Sequence, residues 1–131
     1  MAFLATSIND SNVIVRKAGA KIADAKGLAI KFDASGNAAL ASADTDTVIG
    51  IGIMTNDDNI EVGQDVHIQV KDMGLAVSGA AVKAGDELMV NAAGKFIPAT
   101  AGKKIVAVAL EAATGADKFI QVAIRHSLKE A

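Results

Sequence analysis

Apolar residues occur along the first half of the chain in short runs that are bounded by Gly, Asp, Asn or Ser. The clearest runs lie at residues 28–32, 48–53 and 66–70, and a weaker alternation of apolar and polar positions covers residues 11–16. The runs are rich in Val and Ile, whose branched side chains favour the pleated surface of a β-strand. The pattern predicts three strands, and residues 11–16 form either a first strand or an extended arm.

The second half of the chain repeats this pattern. Further strands are predicted at residues 75–77, 87–90, 95–97, 105–110 and 119–124. Between strands, Asp33 precedes Gly36 by three residues and Asn91 precedes Gly94 by the same spacing. An Asp or Asn side chain can hydrogen-bond the backbone of a turn, and Gly tolerates a positive φ. Both segments are therefore predicted to connect hairpins.

The two halves resemble each other in sequence. Three pairs of segments match: 27–36 with 85–94, 48–53 with 105–110, and 68–70 with 120–122. Two copies are too few for a solenoid of stacked repeats. The fold class predicted is all-β, as a small β-barrel or sandwich with a weak two-fold internal repeat.

A helix competes with this prediction in two places: residues 18–29, and the tail at 125–131, which is either one helical turn or disordered. Residues 18–29 contain Ala and Lys, which are good helix formers, and few β-branched residues. One short helix there stays open as an alternative. A chain of 131 residues suits one domain, so we expect an N-terminal arm at residues 1–14, a single β-barrel-like domain at 15–124 and a C-terminal tail at 125–131.

Composition limits how this domain is stabilised. Half of the residues are hydrophobic (51%), but they include only four Phe and no Trp or Tyr. A core of small side chains gains little free energy per residue, so contacts between copies would help to stabilise the fold. The chain has no Cys, which excludes disulfides, thiolate metal sites and cysteine nucleophiles.

Charge and hydropathy exclude two kinds of partner. The net charge is −2 with scattered Lys and Arg, whereas nucleic-acid binding depends on clustered basic residues and often on aromatic stacking. No apolar run approaches the length of a transmembrane helix, and the N-terminus has no basic region typical of a signal peptide. We therefore expect no nucleic acid, no membrane and a location in the cytosol or in an assembly formed there.

Asp44-Thr45-Asp46-Thr47-Val48 is the segment that looks most catalytic. It is similar to the D-x-D-x-(T/V) loop of haloacid-dehalogenase-type phosphotransferases, in which one Asp attacks phosphorus and the next handles the proton. That loop follows a buried strand of a parallel sheet, whereas here the predicted strand follows the loop. We interpret Asp44 and Asp46 as ordinary loop residues.

Other candidate chemistry is weaker. The acidic residues of segment 56–65 offer oxygen ligands, but they lack the spacing of a calcium loop. His67 and His126 are the two histidines and are far apart in sequence. His67 should lie on the opposite strand face from Val66 and Ile68, and we interpret both histidines as surface or interface residues.

Glycines and catalytic signatures give no support for enzymatic activity. Gly50 and Gly52 lack the third glycine of a dinucleotide fingerprint, and glycines inside a strand more often mark a close backbone approach. No G-x-S-x-G, H-E-x-x-H or G-x-x-x-x-G-K-[ST] string occurs. We expect a protein that is not an enzyme, with no cofactor and no metal.

Four segments together resemble one protein family. They are Val-Arg-Lys-Ala-Gly at 15–19, Val-Ile-Gly-Ile-Gly at 48–52, Val-Lys-Ala-Gly-Asp at 82–86 before Leu-Met-Val, and Ile-Val-Ala-Val-Ala-Leu at 105–110. Their order is similar to that in the tailed-phage capsid decoration, or cement, proteins, over about residues 12–124. The resemblance implies a β-barrel-like protein that binds the outside of the expanded head, often as a trimer, and bridges major capsid subunits.

The N-terminal segment is the predicted capsid contact. Exposed apolar residues near a terminus become ordered readily when they bind a partner. The candidates are Phe3, Leu4, Ile8, Val13 and Ile14. The alternatives are another phage structural component of the head-fibre or tail-tube type, a small ligand-binding module, or an Asp-dependent hydrolase.

Overall fold

The β-branched runs form ten strands in the computed structural model, which describes residues 11–128. The first five are β1 (Val13–Lys17), β2 (Ala29–Phe32), β3 (Ala38–Leu40), β4 (Val48–Gly52) and β5 (Asp65–Gln69). The second five are β6 (Met73–Val77), β7 (Glu87–Val90), β8 (Phe96–Pro98), β9 (Lys104–Ala109) and β10 (Phe119–Leu128). These residues contain no helix, so the all-β prediction is confirmed.

The helix considered for residues 18–29 does not form because this segment pairs with strands instead. Ala18 forms a parallel bridge with Ala38, and Ile22 forms an antiparallel bridge with Ile60. Both side chains are buried in the first half of the chain. Across residues 11–128, no helix is long and apolar enough to cross a membrane.

The strands build two antiparallel sheets with the same internal order. The first sheet runs β1-β5-β4-β2-β3 and the second runs β6-β10-β9-β7-β8, so each strand of the second sheet follows its counterpart by five. Only one bridge joins the two edges of each sheet, Ala18 to Ala38 in the first and Ser78 to Phe96 in the second. Neither sheet closes into a barrel, and the sandwich-like alternative is the one that forms.

The repeat extends to individual hydrogen bonds. Oδ1 of Asp33 accepts the N–H groups of Ser35 and Asn37, at 2.9 and 3.0 Å. Oδ1 of Asn91 accepts those of the two residues at the same spacing, Ala93 and Lys95, at the same distances. Gly36 and Gly94 both have positive φ, 81° and 74°. The two predicted hairpin connections are therefore confirmed.

One of the three aligned segment pairs has a different register in the structure. The N–H of Val70 donates to the carbonyl of Asn12, and the N–H of Ile124 donates to that of Asp72. Val70 therefore corresponds to Ile124, two residues beyond the Val122 with which its sequence aligns. Strand side chains alternate with a period of two, so a shift of two residues keeps every side chain on the same face and leaves the sequence pattern unchanged.

Two clusters of buried side chains form the core. One lies within the first half and contains Ile22, Ile30, Ile60, Val66 and Ile68 together with Ala18, Ala25 and Ala38. The other combines Ala29, Ala41, Val48 and Ile51 of the first half with residues of the second half, among them Phe96, the largest fully buried side chain. The first sheet therefore contributes side chains to both clusters.

The expected segment boundaries fall inside strands. β1 begins at Val13, within the segment assigned to the arm, and Ile14 pairs with Ile68. At the other end, β10 continues through residues 125–128, so this part of the expected tail is a strand and not a helical turn or a disordered segment. After a bulge, Ser127 pairs with Ile105 of β9. Pairing with a neighbouring strand, which composition does not reveal, extends both elements.

Gly52 lies where two backbone segments approach closely. A Cβ at this position would be 1.9 Å from the carbonyl oxygen of Ala25. The Gly52 N–H donates to the carbonyl of Leu28 at 3.0 Å, and its own carbonyl accepts the N–H of Gly27 at 2.8 Å. The strand glycine therefore marks a close backbone approach, as its sequence position suggests.

We expect Gly52→Ala to lower the free energy of unfolding by about 3 kcal/mol, because the added methyl group forces the backbone of Ala25 away. Urea denaturation followed by circular dichroism measures the change. Gly115→Ala is the matched control, since nothing lies within 4 Å of a Cβ there, and it should change stability by less than about 0.5 kcal/mol. Equal stability of the two variants would contradict this packing.

Candidate binding surfaces

The N-terminal candidates divide between two parts of the chain. Phe3, Leu4 and Ile8 lie outside the described residues. Val13 and Ile14 begin β1, the edge strand of the first sheet. Val13 is half-buried, and Ile14 packs against the core of the first half, which leaves less of its side chain available to a partner.

The Asp44–Thr47 loop caps a turn. Oδ2 of Asp46 accepts the N–H groups of Ser42 and Ala43, at 2.8 and 3.0 Å, and lies 3.2 Å from Nζ of Lys31. The hydrogen bond from Ser42 is the main reason why the pKa of Asp46 is below its ordinary value. Asp44 forms a separate ion pair of 3.1 Å with Lys103. Each carboxylate is thus engaged by the protein's own donors.

Asn56 is a buried polar residue that fastens the next loop. Its Nδ2 donates to the carbonyls of Ile53 and His67, at 3.1 and 2.8 Å, and its Oδ1 accepts the N–H of His67 at 2.8 Å. Only 3% of the residue is exposed. These bonds join the end of β4 to β5, so Asn56 has a structural role within the acidic segment 56–65.

Lysines from other segments pair with the neighbouring acidic residues. Lys26 donates a hydrogen bond to Asp58, which is the main cause of the raised pKa of Lys26. Lys17 lies 2.6 Å from Asp65 and lowers the pKa of that carboxyl through a hydrogen bond and charge attraction. In residues 11–128 no three His, Asp or Glu side chains are grouped so as to hold a metal ion.

The two histidines lie on different sheets. His67 is in β5, half-buried between the fully buried Val66 and Ile68, so it does face the opposite side of the strand. His126 is in β10 and lines a groove with Thr47 and Lys104. Neither Asp44 nor Asp46 is among the described residues that line this groove. The structure therefore does not bring the two carboxylates and a histidine into one pocket there.

Backbone and side-chain contacts join the two halves. The N–H of Val77 donates to the carbonyl of Gly27 at 2.8 Å, and that of Ala29 donates to Gly94 at 2.9 Å. Nζ of Lys104 donates to the carbonyl of Thr45 at 2.9 Å. The sheets are thus held together by a combination of backbone pairing and the shared apolar core.

Four of the eight large apolar side chains that are exposed in the described residues lie on one side of the second sheet, a grouping that the sequence did not single out. In antiparallel sheets, residues directly opposite each other share a face, as do Leu75 and Gln121. Leu110 extends this face, because its N–H donates to the carbonyl of Gln121 at 2.9 Å. We name this surface the outer face: Met73, Leu75, Leu110, Phe119 and Gln121. Its four apolar side chains are between 41% and 59% exposed.

At the same place in the repeat, the first half keeps an exposed apolar residue, Val15, at the position of Leu75 but is charged at one neighbouring pair of positions. Lys17 pairs with Asp65 in the strand register, as Val77 pairs with Phe119 in the second half. An ion pair thus occupies the positions that are apolar in the second sheet. Residue similarity aligns β5 with β10 two residues away from this strand register and therefore hides the difference.

The fold defines a duplicated all-β protein, in which two antiparallel five-stranded sheets have the same strand order. A sequence model of the phage cement proteins matches residues 51–125, which is more than half of the 131 residues. The chain belongs to the phage cement protein family and is a structural component of the virion. The resemblance found in the sequence is thereby confirmed.

A solved structure has the same fold. The crystal structure of the head fibre gp8.5 N base in bacteriophage phi29 superposes with a TM-score of 0.65, over 91% of this chain and 98% of that chain. The two sequences are 16% identical, so the comparison concerns the fold alone. No curated protein matches the chain in sequence.

We expect Asp46→Asn to lower the free energy of unfolding at pH 7 by about 1 kcal/mol, because two backbone N–H groups lose a charged acceptor. The pKa of Asp46 in the folded chain is below the ordinary 3.8. The stabilisation is therefore present above about pH 4 and is lost as the pH falls through the lowered pKa. Urea denaturation at a series of pH values from 7 to 2 measures this. The difference in unfolding free energy between Asp46→Asn and wild type should become smaller as the pH falls.

Asp44→Asn is the matched control for Asp46→Asn. The ion pair of Asp44 with Lys103 joins two partly exposed side chains, so its loss should change stability by less than about 0.5 kcal/mol at any of these pH values. A larger effect from Asp44 than from Asp46 would contradict the capping role.

Proposed function

We propose that this protein binds the outer surface of the expanded phage capsid and stabilises it by bridging neighbouring major capsid subunits. Membership of the phage cement protein family is the observation that carries the proposal. The duplicated architecture supports it, because two similar units in one chain present two separate surfaces. Several weak contacts on one rigid body add up through their effective concentration.

The proposal assigns partners and location as well. The partner is the major capsid protein, bound by a homotrimer on the capsid exterior after assembly in the host cytoplasm. No nucleic acid, membrane or cofactor takes part, and the chain has no enzymatic activity. The engagement of the Asp44 and Asp46 carboxylates by Lys103, Lys31 and turn N–H groups supports the last point.

The N-terminal segment supplies the main capsid contact in this proposal. Phe3, Leu4 and Ile8 are apolar residues in a segment of ten that precedes the described chain. In the proposal, these three side chains contact the major capsid subunits. Val13 and Ile14 continue this segment at the exposed edge of the first sheet.

A second candidate function is the base of a head fibre. The similarity in fold to the phi29 head fibre N base favours it. A fibre base also attaches to the head, but it carries a further fibrous part, whereas a cement protein acts by the contacts of its own domain. Head binding by this chain alone, with a gain in head stability, distinguishes the cement function.

We expect the purified chain to co-sediment with expanded empty heads of its own phage, saturably and more strongly than with unexpanded heads. Replacing Phe3, Leu4 and Ile8 together by Ser should weaken binding by roughly 30-fold or more, because apolar anchors carry most of the energy of an interface. Bound copies per capsid subunit are quantified by densitometry. Stabilisation of the head is measured separately, as the temperature at which filled heads release their DNA.

Thr6→Ala combined with Ser7→Ala is the matched control, since it changes the same segment and keeps its apolar residues. It should bind heads as wild type does. Binding by the Ser variant equal to that of wild type would remove the arm from the proposal. Absence of wild-type binding to either form of head would overturn the proposed function itself.

A further inference from the structure

The outer face consists of four exposed apolar side chains and one amide side chain, and the Glu87–Arg125 ion pair lies farther across the outer side of the same sheet. Met73 and Phe119 are 59% and 50% exposed, and Leu75 and Leu110 are 45% and 41% exposed. The alternate residues of the same strands, such as Ala76 and Ile120, are buried in the core. Around Leu75 and Phe119 the second sheet therefore has apolar side chains on both sides, although only its inner side packs against the protein's own core.

The corresponding surface of the first half provides an internal comparison. In the strand register, Leu75 corresponds to Val15, Gln121 to His67 and Phe119 to Asp65. Val15 is 42% exposed, nearly the same as Leu75. The fold therefore accepts a charged residue at the Phe119 position, and the apolar side chains of the outer face are not required by strand geometry. Large exposed apolar patches commonly mark interaction sites.

The outer face is continuous with a contact that already exists in the chain. At its edge, the ring of Phe119 and the side chain of Val77 pack on Gly27 of the first half, so closely that a Cβ on Gly27 would lie 2.9 Å from each. Met73 and Leu75 then line a groove that Met54 borders from the first half. The established contact between two repeated units thus ends in unpartnered apolar surface.

Charged residues of both signs surround the outer face. Lys71 and Asp72 precede β6, Glu111 follows β9, and Lys118 precedes β10, and all four are exposed. An apolar centre with a charged rim is the usual make-up of a protein interface, and an uncharged apolar centre is most marked between copies of one chain. A rim with both signs allows identical copies to pair their own charges.

We propose that the outer face is the contact between copies of this chain in its closed oligomer, with a second copy as its occupant. This inference rests on the homotrimer of the proposed function and assigns it a surface. The core has few large side chains, since the chain contains four Phe and no Trp or Tyr. A contact between copies would add apolar burial that the monomer lacks, which is consistent with the inference. A shell protein is the competing occupant, and the test separates the two.

The test compares two substitutions at equivalent positions of the repeat, Leu75→Glu and Val15→Glu, in the full chain. Sedimentation velocity over a range of concentrations gives the oligomeric state, and circular dichroism confirms folding. Wild type and Val15→Glu should form the same small oligomer. Leu75→Glu should dissociate it, with the dissociation constant raised roughly 30-fold or more, since a buried charge without a partner opposes the contact. If Leu75→Glu does not fold, Leu110→Glu tests the same face outside the strands.

Three outcomes would overturn the inference: a wild-type chain that is monomeric at every concentration, oligomers of Leu75→Glu as stable as wild type, or equal dissociation by both substitutions. Co-sedimentation with expanded heads distinguishes these failures from failure of the proposed function. A monomeric wild type that binds heads, and loses binding in Leu75→Glu but not in Val15→Glu, would assign the outer face to the shell. A stable oligomer that depends on Leu75 but binds no heads would support the contact between copies and contradict the proposed capsid function.

Discussion

Gly27 connects the two halves of the chain. Its φ of 72° suits glycine, its carbonyl accepts the N–H of Val77 at 2.8 Å, and its missing side chain admits Val77 and Phe119. A bulkier residue here would push β6 and β10 away from the first half. The larger core cluster, which combines Ala29, Val48 and Ile51 with residues of the second half, depends on that approach.

Duplication explains why one small chain has two different surfaces. The same strand order and the same hairpin hydrogen bonds occur in both halves, so the backbone sets where each outward side chain lies. Their chemistry has diverged: the Lys17–Asp65 ion pair in the first half occupies the positions of Val77 and Phe119 in the second. Exposed apolar side chains that lie side by side, such as Leu75 and Phe119, commonly mark interaction sites.

Small side chains fit this architecture and also limit it. Ala contributes much of both core clusters, and Phe96 is the largest residue that is fully buried. Small residues let backbones approach closely, as Gly52 does at Ala25, but each contributes little burial.

The sequence by itself determined the all-β class, the two hairpin connections and the internal repeat, because β-branched runs, turn residues and alternation act locally. Its order of motifs also determined the cement family. Only the tertiary structure decided that the sheets stay open, that residues 18–29 pair with strands, and that residues 125–128 continue β10. It also decided which residues of β5 and β10 occupy equivalent positions in the two sheets and, with them, the outer face. These features depend on pairing between residues distant in sequence, and a two-residue shift leaves the alternation of a strand unchanged.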